Sequence, residues 1–178
     1  MKIWSFLGEI LPLAAFFLAN HFYGLLIAGV SSVLMGLAVL TVVWFQEDRV
    51  SPFVIFSLFV AGLMTSAAVW LQDDLYIKLE ATFFNAAFSL VLLGGVAMGR
   101  NTMKDFFAAQ FSLTDDTWRS LTLRWGFFFA GLALANEIAW RGLSGDAWVL
   151  FKVFVVPPVT LIFALSQLPM TRRGTVDV

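Results

Sequence analysis

Five predominantly apolar stretches of eighteen or more residues, each cut off from the next by a short charged segment, constrain this chain more than any other feature. They are Tyr23–Phe45, Phe53–Leu71, Ala81–Met98, Leu121–Trp140 and Trp148–Leu168. About 20 residues rising 1.5 Å each cross a hydrocarbon core of about 30 Å, so each run is long enough to span a bilayer. A backbone in lipid must satisfy its own hydrogen bonds, which makes these runs helices. None of them alternates as the strand of a transmembrane barrel does. Between them lie the polar segments QEDRVSP, QDDLYIKLE, a longer connection from Gly99 to Ser120, and RGLSGDA. The composition agrees. Of 178 residues 60% are hydrophobic and 13% charged, against roughly 45–50% and 25% in soluble domains, and the mean hydropathy is +0.87. That excludes a soluble enzyme, a disordered chain and a nucleic-acid binder. The net charge of −1 offers a polyanion nothing. With no Cys and one His, disulfides, thiol catalysis and a His-rich metal site are excluded too.

A sixth run, Ile3–Ala19, carries Glu9 and has Pro12 in its middle, where a proline removes a helical hydrogen bond and favours a kink. Asn20-His21-Phe22-Tyr23 follows as a short polar break. The run is either a kinked first span or a half-span leading into the second. No small-x-small cleavage site follows it, so it does not read as a signal peptide. The fold class is therefore all-α, a polytopic integral membrane helix bundle. It has five clear transmembrane helices plus this N-terminal segment, read as one membrane domain over residues 1–178.

Lysine and arginine set the orientation. Arg49, Arg100, Lys104, Arg119, Arg124, Arg172 and Arg173 fall on one side, and Lys78 and Arg141 on the other. Seven against two puts the 99–120 connection and the C-terminus in the cytoplasm. Lys2 favours a crossing first run. In the connection, Met103, Phe106, Phe107, Gln110 and Phe111 recur at helical spacing. They predict either a short amphipathic helix on the inner leaflet or a connector whose aromatics pack on the bundle. Thr114 before Asp115 and Asp116 reads as an N-cap with an acidic first turn. Gly95 with Gly99, Gly126 with Ala130, Gly131 with Ala135 and Ser32 with Gly36 have the spacing that lets helix backbones approach.

Ionisable groups at membrane depth are costly and need an account. Across the RGLSGDA turn Glu137 and Lys152 fall at similar depth, roughly 6–8 Å inside the boundary. They can pair with each other, and Glu137 with Arg141 at i,i+4. Asn136 adds an amide, and Lys78 and Glu80 begin a run in the same leaflet beside Asp73 and Asp74. The candidate polar cluster is thus Lys78, Glu80, Asn136, Glu137, Arg141 and Lys152. It is either a binding or conduction site or a set of cations that snorkel to the interface with Glu137 neutralising them. His21 is a polar loop residue or a proton carrier for that cluster. Asn85 and Gln167 read as interhelical hydrogen-bonding groups. No catalytic constellation emerges: no serine has a His and acid partner, and there is no phosphate-cradling loop, HExxH or prenyl-type DxxD motif. No cofactor or metal is expected.

Longer motifs carry a resemblance. Leu11-Pro-Leu-Ala-Ala-Phe-Phe17, Asp73 with Ile77-Lys78 and Thr82, and Trp118-Arg-Ser-Leu-Thr-Leu-Arg-Trp125 running on to Asn136-Glu137 and Trp140-Arg141 are three of its elements. The fourth is Trp148-Val-Leu-Phe-Lys-Val-Phe154 with Pro158, Thr160, Leu161 and Phe163. Together they resemble the intracellular septation protein A family over about residues 6 to 170. Leu150 stands where that pattern has Asn, and Val155 where it has Gly, which weakens a polar site at position 150. The resemblance implies a multi-pass protein of the bacterial inner membrane tied to envelope biogenesis, integrity and septation. Its implied partners are the lipid bilayer and division and envelope-synthesis membrane proteins, and it implies no enzymatic activity. Two functions stay open: a membrane scaffold, or a small transporter or channel using the polar cluster.

Reporter fusions test the orientation. Fusions placed after Arg173 and near Gln110 should both report a cytoplasmic location, and a periplasmic signal at either site contradicts the charge count.

Overall fold

The structure, a computed structural model, describes residues 3–47, 52–108 and 111–176. Lys2, Arg49 and Gln110 lie outside the described residues, as does the side chain of Glu9. Among the described residues every regular element is a helix. The chain divides into two compact units, one up to Phe84 and one from Asn85.

The first unit contains α1 (Ile3–Tyr23), α2 (Leu25–Glu47), α3 (Pro52–Leu71) and the opening turns of α4 (Leu75–Ala97). The helix α1 continues through Pro12 and through Asn20–Tyr23, so the polar break expected there is helical. The interruption is Gly24, at φ +83°, a left-handed conformation that glycine adopts without a Cβ penalty. The 21 residues of α1 reach about 31 Å at 1.5 Å each. Phe16 of α1 and Ala28 of α2 are buried. Gly36 of α2 lies under Leu58 of α3, where an added Cβ would stand 2.5 Å from Leu58 Cδ2. That is the close approach expected of the Ser32–Gly36 pair. On α4, Phe84 meets Phe53 edge-on at 5.6 Å and packs against a tilted Phe56 at 5.7 Å.

The second unit contains the rest of α4, α5 (Thr102–Phe107), α6 (Asp115–Gly142) and α7 (Gly145–Leu150). A π-helical turn over Phe151–Val155 and α8 (Val156–Arg173) complete it. From Gly145 to Arg173 the last three run as one continuous helix. Thr114 does cap α6, accepting from the Thr117 amide. The buried face of α6 is a stripe of Trp118, Thr122, Gly126, Phe129, Ala133 and Asn136, spaced by three and four residues. Gly126 admits Leu93 of α4, and Ser89 of α4 donates to the Gly126 carbonyl at 2.8 Å. Phe128 stacks on Phe163 of α8 at 4.0 Å, with Trp125 edge-on to the same ring.

Two small-residue pairs differ from expectation. Gly99 lies past the end of α4 at φ +73° and turns the chain, while Gly95 seats Thr102 of the connector. A Cβ on Gly131 would meet open space. In the connector, Met103 is buried and Phe106 packs on Phe88 at 5.3 Å, so these side chains turn toward the protein.

Among the described residues four helical stretches are long and apolar enough to cross a membrane: Leu25–Gln46, Pro52–Leu71, Leu75–Ala97 and Gly145–Arg173. The run Leu121–Trp140 lies within α6. At 28 residues α6 is long enough, but Arg124, Asn136 and Glu137 lower its hydropathy and it is not among the four. Large apolar side chains cover the outside of the long helices, with Trp70 86% and Phe45 82% exposed. That surface suits lipid and not water. Trp44 and Trp70 both stand exposed near helix ends, where Trp favours the bilayer interface.

Candidate functional site

The candidate site of the second unit forms around the turn between α6 and α7. After Gly142 the chain leaves the helix through Leu143, in extended conformation. Ser144 then caps α7, its Oγ accepting from the Ala147 amide at 3.3 Å. So short a turn folds α7 back along the end of α6, which lets residues twelve apart in sequence meet. Trp148, fully buried, donates from Nε1 to Asn136 Oδ1 at 3.0 Å. Asn136 is buried too, as the last polar member of the α6 stripe. Each group satisfies the other where an unpaired one would cost about 1–3 kcal/mol.

One turn along from Trp148 is Lys152. Its Nζ lies 5.3 Å from the centroid of the Trp148 ring, within cation–π range. Lys152 belongs to the π-helical turn, in which the Val156 amide reaches back to the Phe151 carbonyl. Pro157 and Pro158 follow immediately. Neither has an N–H to give to Val153 or Phe154, and a proline ring crowds the carbonyl four residues before it. A wider turn over these residues relieves that crowding, which is the physical reason for the π geometry here.

Glu137 accepts from Arg141 Nε at 2.8 Å, the i,i+4 pair expected from the sequence. Glu137 is the less exposed partner, at 26% of its side chain against 64% for Arg141. The Arg141 guanidinium also lies over the Trp140 ring, 4.2 Å from its centroid. Trp140 Nε1 is buried with no hydrogen-bond partner among the described residues.

The other two cluster residues, Lys78 and Glu80, lie in the first unit near the start of α4. Lys78 pairs with Asp74 at 3.2 Å, and Asp73 Oδ1 accepts from the Leu75 amide at 2.9 Å. Both acids of that loop are therefore engaged locally. His21 is exposed, its ring edge-on to Phe22 at 4.9 Å. Gln167 is buried on α8 and accepts from Arg124 of α6 at 3.2 Å, the interhelical role expected of it. Trp148 is the participant the residue chemistry did not single out. Its signals were its place four residues before Lys152 and the brevity of the turn back to Asn136.

These features define a multi-pass helical membrane protein in which a buried indole–amide hydrogen bond crosses a short interhelical turn. The chain belongs to the intracellular septation protein A family, which it matches over residues 4–176. It is 35% identical to the inner membrane-spanning protein YciB of Agrobacterium fabrum, over 97% of this chain and 92% of that one. The YciB of Sinorhizobium medicae is 39% identical over 79% of this chain and 67% of its own. That of Brucella anthropi is 34% identical over 93% and 82%. No solved structure matches the chain.

The Glu137–Arg141 pair is measurable by a double-mutant cycle. With Glu137→Gln and Arg141→Gln, thermal unfolding in detergent should give a coupling of about 0.3–1 kcal/mol, modest because Arg141 is largely exposed. A coupling of zero means that the two charges act separately.

Proposed function

We propose that this chain serves envelope biogenesis and septation from the bacterial inner membrane as a non-enzymatic scaffold. Its long helices would present apolar faces to lipid and to other envelope proteins, division and envelope-synthesis proteins among them. In this proposal α6 crosses the membrane with the four more apolar stretches, and the C-terminus and the 99–120 connection are cytoplasmic. The family membership and the printed names of the relatives, inner membrane-spanning proteins, support the location and the link to septation.

The observation that carries the scaffold reading is that the polar side chains at the α6–α7 turn are occupied with one another. Asn136 is tied to Trp148, Glu137 to Arg141, and Lys152 lies over an indole. The first contact ties α7 to α6, and the other two each lie within one helix, so each of these polar groups already has a partner. A transport site needs side chains that can exchange partners with a substrate. We further propose that Glu137 and Lys152 pair across the turn.

One observation favours the alternative, a small transporter or channel. The π-helical turn carries Lys152, and such turns recur at functional sites because they leave backbone groups less tightly committed.

Complementation separates the two. In a strain lacking its own family member, Glu137→Gln combined with Lys152→Met should restore envelope integrity as well as the unmodified chain, since the charge left behind, Arg141, is largely exposed. Loss of complementation by a variant present in the membrane at normal level would overturn the scaffold reading in favour of transport.

A further inference from the structure

Where the start of α6 meets the end of α8, the second unit holds a cleft of about 450 Å³ whose lining includes Thr114, Thr117, Arg124, Ser166, Arg173 and Gly174. Its rim is built and not incidental. The Thr114 amide donates to the Gly174 carbonyl at 2.9 Å, and the Val176 amide to that of Ser112 at 2.9 Å, so the segment after α8 clips onto the connector before α6. Gly174 is buried against Thr117, and an added Cβ there would overlap the threonine side chain. The Thr114 and Thr117 hydroxyls share a hydrogen bond of 2.8 Å.

The charge in this cleft is positive. Arg124 lies two turns up α6 from Thr117, on the same face. Gln167 Oε1 accepts from one Arg124 Nη1 at 3.2 Å, which holds the guanidinium while its other N–H groups stay available. Among the described residues neither Arg124 nor Arg173 has a carboxylate within ion-pair distance. Asp115, in the first turn of α6, is taken by Lys104 at 2.8 Å. With α6 spanning the bilayer as proposed, the exposed Arg124, about one turn inside the apolar run that begins at Leu121, would sit at the level of lipid phosphates, where a guanidinium is costly unless an anion meets it. Basic pockets between helices on the cytoplasmic side suit anionic headgroups. On α8, Leu161, Ile162 and Leu165 are exposed, an apolar wall for acyl chains that free phosphate would not need.

We propose that this cleft binds the phosphodiester headgroup of an anionic phospholipid, with Arg124 and Arg173 as the cationic partners and the Thr117 and Ser166 hydroxyls as donors. The assignment depends on α6 and α8 lying in the membrane and not on the scaffold reading.

The test uses the full chain purified in a zwitterionic detergent, with dioleoyl phosphatidylglycerol, dioleoyl phosphatidylcholine or inorganic phosphate added in turn. Phosphatidylglycerol near a hundredfold excess over its Kd should raise Tm by at least about 5 °C, and the other two should not. Arg124→Gln with Arg173→Gln should lose most of that shift and weaken phosphatidylglycerol binding roughly tenfold or more. Arg119→Gln with Arg172→Gln, an equal loss of charge outside the cleft, should retain it. An equal shift from phosphatidylcholine, the same shift from inorganic phosphate alone, or a full shift in the Arg124/Arg173 variant overturns the proposal. Should that variant not fold, native mass spectrometry of the unmodified chain in equimolar mixed micelles reads the preference directly, and equal occupancy by the two lipids overturns it.

Discussion

The hydrogen bond from Trp148 Nε1 to Asn136 Oδ1 is the interaction on which the second unit depends most. Both groups are buried inside the protein, so neither has bulk water to fall back on. Their pairing fixes α7 against the last buried turn of α6. It thereby sets the register from which the continuous helix Gly145–Arg173 departs. The π-helical turn and Lys152 follow from that start, and the aromatic contacts of Phe163 lie further along the same helix.

The remaining polar groups obey the same constraint. In lipid, apolar side chains gain little by leaving one apolar medium for another, so helices associate through close packing and a few hydrogen bonds. Ser89 donates to the Gly126 carbonyl where the absence of a side chain brings α4 and α6 together. Arg124 and Gln167 join α6 to α8. Aromatic rings fill the space between these links, Phe88 against Phe129 and Phe128 against Phe163. The apolar bulk of the chain therefore faces outward, the reverse of a water-soluble bundle.

Much of this was legible in the residues. Runs of apolar residues without barrel-type alternation dictate helices, because a backbone in lipid must satisfy its own hydrogen bonds, and the charged segments mark where they end. The Thr114 cap and the Glu137–Arg141 pair follow from spacing alone, since both are local. What was not legible depends on geometry between elements. Asn20–Tyr23 looked like a break because it is polar, yet Gly24 next to it supplies the left-handed residue that ends α1. Gly95 and Gly99 have the spacing of a helix contact, but one lies past the helix end. The π-helical turn has a sequence cause in Pro157-Pro158, whose effect on the preceding turn shows only when the hydrogen bonds are traced. At the site, ion-pair reasoning finds Glu137 and Arg141 but passes over Trp148, because an indole in an apolar run reads first as bulk.

The most direct measurement is a double-mutant cycle on that indole and its amide partner. Asn136→Leu, Trp148→Phe and the double variant would be compared with the unmodified chain by thermal unfolding in detergent. The account predicts that each single change lowers stability by about 1–3 kcal/mol, and that the double variant loses less than the sum by about 0.5–1.5 kcal/mol, the range for hydrogen bonds between membrane helices. If the two single losses add to within about 0.3 kcal/mol, the indole and the amide do not act together and the α6–α7 turn is held by packing alone.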